Sequence, residues 1–273
     1  MRRKTFAPIL VLLISILLMG TSCQVSSTKM AGDFKKPGEN WISLFNGKDM
    51  NDWVVKIHHH DVDVNVHNTF RVEDGMIKVR YDQYGDFDNQ FGHLYYKKPF
   101  SHYRLVVEYR FTGELQRGAP DYTLLNSGVM YHSQDPHTMP KEQDWPISVE
   151  MQFLAGLGDG HDRPTGNMCS PGTDIVYQGK KYDGHCLNSS SKTYEKDEWV
   201  RAELIVLGDS LITHIINGDT VLQYSKPTMG GGVATNYDST VWQEGKALTA
   251  GFVALQSEGQ PIDFRTVELL ELK

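Results

Sequence analysis

Short runs in which apolar and polar residues alternate recur along this chain, and helical periodicity is almost absent. The clearest run covers residues 103–111, where every second residue is large and apolar. Successive side chains of a β-strand point to opposite faces, so this pattern predicts a strand with one buried face. Asn217-Gly218 separates two further runs, and this dipeptide is typical of a tight hairpin turn. The pattern therefore predicts an all-β fold.

The same signals predict about a dozen short strands, at 41–45, 70–73, 76–80, 94–97, 103–111, 128–132, 147–154, 200–207, 211–216, 220–224, 248–256 and 263–272. Many short strands without helices favour a sandwich of two packed sheets. Residues 156–191 lack these signals and are predicted to form a long irregular loop. Such a loop in a compact domain usually carries function.

The N-terminus has the layout of a secretory signal. Three basic residues at 2–4 precede an apolar run over 8–19, and small residues at 20–22 lead to Cys23. The run is too short to span a hydrocarbon core of ~30 Å comfortably. A cysteine directly after small residues is similar to a lipoprotein signal, whose cysteine is acylated. We therefore expect a signal peptide over 1–22, a lipid on Cys23 and a tether over 23–38; plain secretion with an unmodified cysteine is the alternative.

These features predict an exported, membrane-anchored lipoprotein that touches the membrane through its lipid alone. Residues 24–27 lack the acidic cluster that marks surface display in some lipoproteins, so an anchor facing the periplasm is preferred over the cell surface. The net charge of −7 argues against a nucleic-acid partner, because phosphate binding needs a basic surface. Residues 39–273 suffice for one folded domain with a sizeable core.

Two more cysteines lie within the body of the chain, at Cys169 and Cys186. If Cys23 carries lipid, these two remain as a pair in an oxidising compartment, and a disulfide is expected. Two free buried thiols are the alternative.

The strand predicted at 147–154 is the most informative for function. Val149, Met151 and Phe153 would face the core, whereas Glu150 and Gln152 would face the other way. Polar groups on a rigid strand can satisfy the hydroxyls of a sugar, so this face is a candidate binding surface. An ordinary solvent-facing polar row is the alternative.

Further candidates each have a simpler alternative. His132 could be a general base, a metal ligand or a surface histidine. Trp145 could stack on a sugar ring, although a lone tryptophan is more often part of a core or rim. His214 could bind a ligand or be a satisfied, half-buried histidine, and Arg265 could form a structural ion pair. Glu258 would share a face with Gln256 if their strand continues through residue 257.

Five short motifs follow one another along the chain. They are the stretch Leu44 to Trp53, Asn126-Ser127-Gly128, Glu150-Met151-Gln152, Glu198-Trp199 followed by His214 and Asn217-Gly218, and Leu255 to Gly259 followed by Asp263-Phe264-Arg265. Taken together in this order, they resemble the 3-keto-disaccharide hydrolase family. Thr266 departs from the asparagine usual after the last motif. The resemblance implies a concanavalin A-like two-sheet β-sandwich (a jelly roll) and action on oxidised glycosides.

A ketone at C3 of a sugar changes the chemistry of bond cleavage. It acidifies the C2 proton, so a base can form an enolate that expels the C1 substituent, after which water adds back. This path needs a base, an enolate stabiliser and an acid. The two-carboxylate glycosidase pattern E-x-D-x-x-E falls here on Glu150, Gln152 and Ala155, so its second and third acids are missing.

The resemblance therefore implies an enzyme that cleaves the glycosidic bonds of 3-keto glycosides and disaccharides, by hydrolysis or by elimination and hydration. Glu150 is the leading catalytic candidate, as base or metal ligand, and His132 is the second. The sugar is expected to be bound by Gln152, His214, Glu258, Arg265 and Trp145. A divalent metal ion joining His132 and Glu150 is compatible with this scheme but not required by it. The alternative function is a non-catalytic, lectin-like carbohydrate-binding lipoprotein.

Overall fold

The computed structural model describes residues 38–273, which form two antiparallel sheets packed as a sandwich. The all-β prediction is thus confirmed. The predicted signal peptide, Cys23 and all of the tether except Gly38 lie outside the described residues. Among the residues described, no helix is long and apolar enough to cross a membrane.

The larger sheet has ten strands. Their order across the sheet is β11 (Lys180–Lys181), β10 (Thr173–Tyr177), β15 (Asp219–Met229), β14 (Leu211–Ile216), β13 (Val200–Leu207), β6 (His102–Phe111), β17 (Ile262–Glu271), β4 (Met76–Val79) and β3 (Phe70–Glu73), and β1 (Trp41–Ser43) also pairs with β17.

The smaller sheet has seven strands. Their order is β12 (Cys186–Leu187), β9 (Asn167–Cys169), β8 (Val149–Leu154), β7 (Asn126–Ser133), β16 (Phe252–Ser257), β5 (Gly92–Tyr96) and β2 (Trp53–Ile57). Short 3-10 turns at Val66–Asn68, Asp121–Thr123 and Pro136–Thr138 connect strands.

The core lies between the sheets and follows the alternation seen in the sequence. Val149, Met151 and Phe153 of β8 are buried in it, as predicted. The Phe153 ring stacks on Tyr109 of β6, with ring centroids 4.0 Å apart. The side chains between these core residues, Glu150 and Gln152, are consequently presented on the opposite face of the smaller sheet.

Two parts of the sequence-based strand assignment were wrong. Residues 156–191 are not irregular throughout, because they contain β9, β10, β11 and β12. These strands have two to five residues and no long alternating pattern, so periodicity does not reveal them. The strand β2 was also missed, since its sequence Trp-Val-Val-Lys-Ile alternates poorly.

Candidate functional site

A cavity of about 400 Å³ opens on the outer face of the smaller sheet. This volume lies within the range usual for small-molecule sites, roughly 300–1,000 Å³. Four of the residues predicted from sequence line it, namely Trp145, Glu150, Gln152 and Glu258. Its other polar lining comes from Tyr122, Asn126, Arg163, His185 and Gln256. The wall of the cavity is therefore formed by β7, β8 and β16 together with the parts of the chain before and after β9.

A glycine makes room for the Glu150 carboxylate. Gly128 on β7 pairs with Gln152 of β8, and the next outward-facing position, Met130, pairs with Glu150. A Cβ atom added to Gly128 would lie 2.5 Å from Oε1 of Glu150, so the carboxylate occupies the space that a side chain would fill. The glycine of the Asn-Ser-Gly motif thus allows the acid to lie flat across the middle of the sheet.

Two buried carboxyl groups meet in this cavity. Glu150 and Glu258 are 7% and 4% exposed. Burial raises the pKa of Glu150 to about 8. Burial also raises the pKa of Glu258 well above its usual value, and the nearby Glu150 adds to the shift. Among the ion pairs that residues 38–273 form, none includes either group. The pair therefore holds a proton at neutral pH.

Three buried oxygen atoms, one of the pair and two beside it, lack a hydrogen-bond partner among the described residues. They are Oδ1 of Asn126, Oε1 of Gln256 and Oε2 of Glu258. A buried acceptor without a partner costs about 1–3 kcal/mol, so such atoms seldom persist without a role. Gln152 differs, because its Oε1 accepts a hydrogen bond from Nδ2 of Asn167 at 3.1 Å. The unpartnered acceptors suit a ligand rich in hydroxyl donors.

Trp145 forms part of the cavity rim and is held there from two sides. Its ring packs against Phe91, with centroids 4.5 Å apart. Its backbone N–H donates to Oδ1 of Asp144 at 2.7 Å. The same carboxylate accepts from the N–H and the hydroxyl of Thr235, at 3.0 and 2.9 Å. Asp144 therefore ties the Trp145 loop to the loop that carries Val233, another residue of the cavity wall.

The predicted disulfide between Cys169 and Cys186 is present and lies in the cavity wall. These two cysteines face each other across β9 and β12, and Cys169 also pairs with Glu150 of β8. The bond therefore fixes the edge of the smaller sheet beside the catalytic candidate.

Arg163 anchors the loop that leads into β9. Its guanidinium donates to the carbonyl oxygens of Leu124, Leu125 and Ala155, at 2.8, 3.2 and 2.7 Å. Burial lowers its pKa, although the charge of Asp159 opposes this effect. Arg163 thus brings a positive charge to the cavity edge while its donors hold the backbone.

His132 is not brought into the cavity. Its backbone has a φ of 47°, which interrupts the alternation at the end of β7. The ring is buried, and its Nε2 lies 3.0 Å from the carbonyl oxygen of Gly208, in the turn between β13 and β14. The pairing of His132 with Glu150 around a metal ion is consequently not assembled.

Two groups of side chains among the described residues are close enough to hold a metal ion, and neither includes Glu150. One consists of His185 with Cys169 and Cys186, whose sulfurs are joined in the disulfide. The second consists of His58, His59 and Glu142 on the surface.

His214 and Arg265 also lie away from the cavity, so the structure does not support their assignment as sugar-binding residues. His214 is buried between the sheets, where Nδ1 contacts the carbonyl oxygen of Gly166 at 2.8 Å and Nε2 contacts the Tyr224 hydroxyl at 2.9 Å. Arg265 belongs to the larger sheet, where its Nε donates to Glu108 at 2.9 Å. His214 is thus a buried histidine with its hydrogen bonds satisfied, and Arg265 forms a structural ion pair, which are the alternatives considered from sequence.

Several residues of the cavity were not selected as site residues from sequence. Gln256 was noted only as a neighbour of Glu258 on one strand face, and Asn126 only as part of a motif, and these placements were the available signals for them. Arg163 and His185 come from the segment 156–191, which has no pattern that would have selected them.

Comparison with known proteins places the chain in a wider context. A family model described as a 3-keto-alpha-glucoside-1,2-lyase-like domain matches residues 40–270. No curated protein matches the chain.

Solved structures share its fold. One is a protein from Parabacteroides distasonis ATCC 8503 provisionally described as a glycosyl hydrolase, at 18% identity and a TM-score of 0.51, covering 85% of this chain and 100% of that one. Another is a Bacillus subtilis protein of unknown function with a galectin-like fold, at 12% identity and a TM-score of 0.50, covering 85% of this chain and 94% of that one. These identities establish a common sandwich fold and nothing finer.

Proposed function

This chain belongs to the 3-keto-alpha-glucoside-1,2-lyase-like domain family, a carbohydrate-active family of glycosidase type, and from that premise we propose that it cleaves glycosidic bonds of 3-keto glycosides. The observation that carries the proposal is the buried Glu150–Glu258 pair at the base of a sugar-sized cavity. A neutral carboxyl group kept from ionising by its surroundings can donate a proton or a hydrogen bond at neutral pH.

Elimination from a 3-keto glycoside needs such a donor. A base takes the C2 proton, the electrons of that bond form the C1=C2 double bond, and the C1–O bond breaks. The departing oxygen takes a proton from the enzyme, and water can then add across the double bond to release the free 3-keto sugar. No oxidant or reductant takes part, because the ketone is already in place.

The cavity offers matching roles for its residues. Glu150 lies at the centre of the sheet and is the leading catalytic residue, as the group that holds the transferable proton with Glu258. The unpartnered oxygens of Asn126 and Gln256 would accept hydrogen bonds from sugar hydroxyls. Trp145 offers an aromatic surface at the rim, where a sugar ring can pack.

Location outside the cytoplasm is a second part of the proposal. We propose that residues 1–22 direct export and that Cys23 carries a lipid anchor facing the periplasm. Incorporation of labelled palmitate should disappear in a Cys23→Ser variant. Protease treatment of intact cells should leave the domain whole, whereas its removal would indicate display on the cell surface.

The decisive experiment compares matched substrates. Purified protein is incubated with a native disaccharide and with its 3-keto counterpart, each with and without a chelator. We expect sugar to be released from the 3-keto compound alone, and in D2O we expect deuterium at C2 of recovered substrate or product.

Two outcomes would contradict the proposal, and a third would extend it. Equal cleavage of the native disaccharide would point to an ordinary glycosidase. Binding of both compounds without any release would point to the lectin-like alternative. Loss of release in the chelator arm would add a metal ion to the scheme without removing the elimination.

A further inference from the structure

The proposed elimination requires a base, and the buried acids are poorly suited to that role. Because burial raises the pKa of both Glu150 and Glu258, the pair holds a proton at neutral pH. A group that holds its proton can act as an acid but does not accept the C2 proton at the same time. The base is therefore best sought among the other residues that line the cavity.

His185 is the one imidazole among the residues that line the cavity. It lies in the turn that leads into β12, between Gly184 and Cys186, and is exposed at the cavity mouth. A ring nitrogen of His185 lies within 4.8 Å of both sulfur atoms of the Cys169–Cys186 disulfide. Since Cys169 pairs directly with Glu150, the imidazole stands on the wall next to the catalytic acid.

The backbone around His185 is held firmly. Its carbonyl oxygen accepts hydrogen bonds from the N–H and the hydroxyl of Ser170, at 3.0 and 3.1 Å. The adjoining strand β12 has two residues and pairs with β9 alone. A strand this short contributes little stability by itself, so the disulfide and the Ser170 hydrogen bonds together hold this segment at the cavity.

The protonation state of His185 suits a base. Partial burial of the ring lowers its pKa, and a backbone contact with Ser170 opposes this effect. The imidazole is then mainly neutral at pH 7 and has a free lone pair. The other titratable or charged groups that face this cavity are Glu150 from β8, Glu258 after β16, Arg163 from the loop before β9, and Tyr122 from the turn before β7.

We propose that His185 is the catalytic base that removes the C2 proton, while the Glu150–Glu258 pair donates the proton taken by the departing oxygen. The proposal rests on the function proposed above. In each turnover the imidazole gains one proton and the carboxyl pair loses one, and exchange with solvent restores both. The disulfide acts as the positioning element that holds the imidazole at the cavity.

The first test replaces the imidazole. We expect His185→Gln to lower kcat on a 3-keto glycoside by roughly 10²–10⁴-fold with KM changed less than about threefold. The fall of kcat at low pH that reports the imidazole should disappear, and added imidazole should partly restore turnover by His185→Ala. His161→Gln is the matched control, because His161 is exposed in the same segment but does not line the cavity.

The outcomes separate this inference from the proposed function. Wild-type protein that is inert on every 3-keto glycoside would overturn the function itself. Active wild type together with a His185→Gln variant of similar kcat would overturn only the role of His185. Persistence of the low-pH fall in kcat in that variant would do the same.

The second test removes the positioning element. In a Cys169→Ser/Cys186→Ser variant we expect kcat to fall at least about tenfold at a temperature where circular dichroism shows the domain folded. Reduction of the wild type with a thiol reagent should give the same loss, and reoxidation should reverse it. Unchanged kcat in the folded variant would show that the disulfide does not position the base.

Discussion

Buried carboxylates occur on both sheets of this protein, but their surroundings differ. On the larger sheet, Asp263 is 1% exposed and forms ion pairs with Arg80 and Arg110. Glu203 is equally buried and pairs with Arg104 and Arg201. On the smaller sheet, Glu150 and Glu258 are almost as buried and have no ion-pair partner among residues 38–273.

This difference has a physical meaning. Removing a charge from water costs several kcal/mol, and a cation with good geometry offsets that cost. The larger sheet follows this rule, so its acids stabilise the fold or are neutral to it. The smaller sheet leaves its acids uncompensated, which raises their pKa and lowers stability at neutral pH. Groups kept in such a state are strong candidates for catalysis.

The largest expected effect is at Glu150. A Glu150→Gln variant should lose turnover of a 3-keto glycoside by about 10³-fold, because the transferable proton is gone. The same change should stabilise the fold at high pH, by on the order of 2 kcal/mol at pH 9.

The sign of this effect follows from the direction of the pKa shift. The pKa of Glu150 rises from 4.5 to about 8 on folding, so the folded state prefers the protonated acid. The stability that this preference provides is complete below pH about 4.5 and is lost as pH rises towards 8. Glutamine cannot ionise, so the Glu150→Gln variant does not lose this stability. Urea unfolding of the wild type and of the variant at pH 5 and pH 9 measures the difference in the free energy of unfolding. Equal pH dependence of the two proteins would contradict the raised pKa of Glu150.

Neutralising Asp263 should have the opposite effects to neutralising Glu150, with stability lost and turnover kept. Replacing it in an Asp263→Asn variant leaves Arg80 and Arg110 without their shared partner, and we expect a loss of about 3 kcal/mol in the free energy of unfolding. The kcat of the folded protein should remain within about twofold, since Asp263 lies on the sheet away from the cavity. Glu258→Gln is the paired variant, for which we expect lost turnover and gained stability at pH 9. Equal effects in both variants would remove the contrast between the sheets.

Gly128 tests how the smaller sheet accommodates its acid. In a Gly128→Ala variant the new Cβ would lie 2.5 Å from Oε1 and 2.9 Å from Cγ of Glu150, so the carboxylate must move. We expect kcat to fall about tenfold or more, because such displacement disturbs the reacting geometry. Gly85→Ala is the control, since nothing lies within 4 Å of an added Cβ there. Normal kcat in Gly128→Ala would show that the position of Glu150 is not critical.

The smallest effect is expected at His214. Its ring contacts the carbonyl of Gly166 and the hydroxyl of Tyr224 between the sheets. A His214→Ala variant should lose about 1–3 kcal/mol of stability through these unpaired groups. KM should be unaffected, whereas Gln152→Ala, which changes the cavity lining, should raise it. A raised KM for His214→Ala would restore it as a sugar-binding residue.

Sequence patterns predicted much of the scaffold. The bounds of β3, β13 and β14 coincide with the runs read from alternation, because each strand has one buried face along its whole length. The same alternation placed Glu150 and Gln152 on one face, and Gln256 and Glu258 on one face, and all four line the cavity. Where alternation is interrupted, as at His132, the prediction of side-chain direction failed.

The order of residues was sufficient to specify two packed sheets, a cysteine pair able to bridge, and an acid on the outward face of β8. These properties depend on neighbours along the chain, which the alternating pattern records. The identity of the acid's companion and of the imidazole beside it depended on folding, because Glu258 and His185 reach Glu150 from distant segments. Their shifted pKa values also arise from burial and, for Glu258, from the charge of the nearby Glu150, and neither cause exists until the sheets have packed.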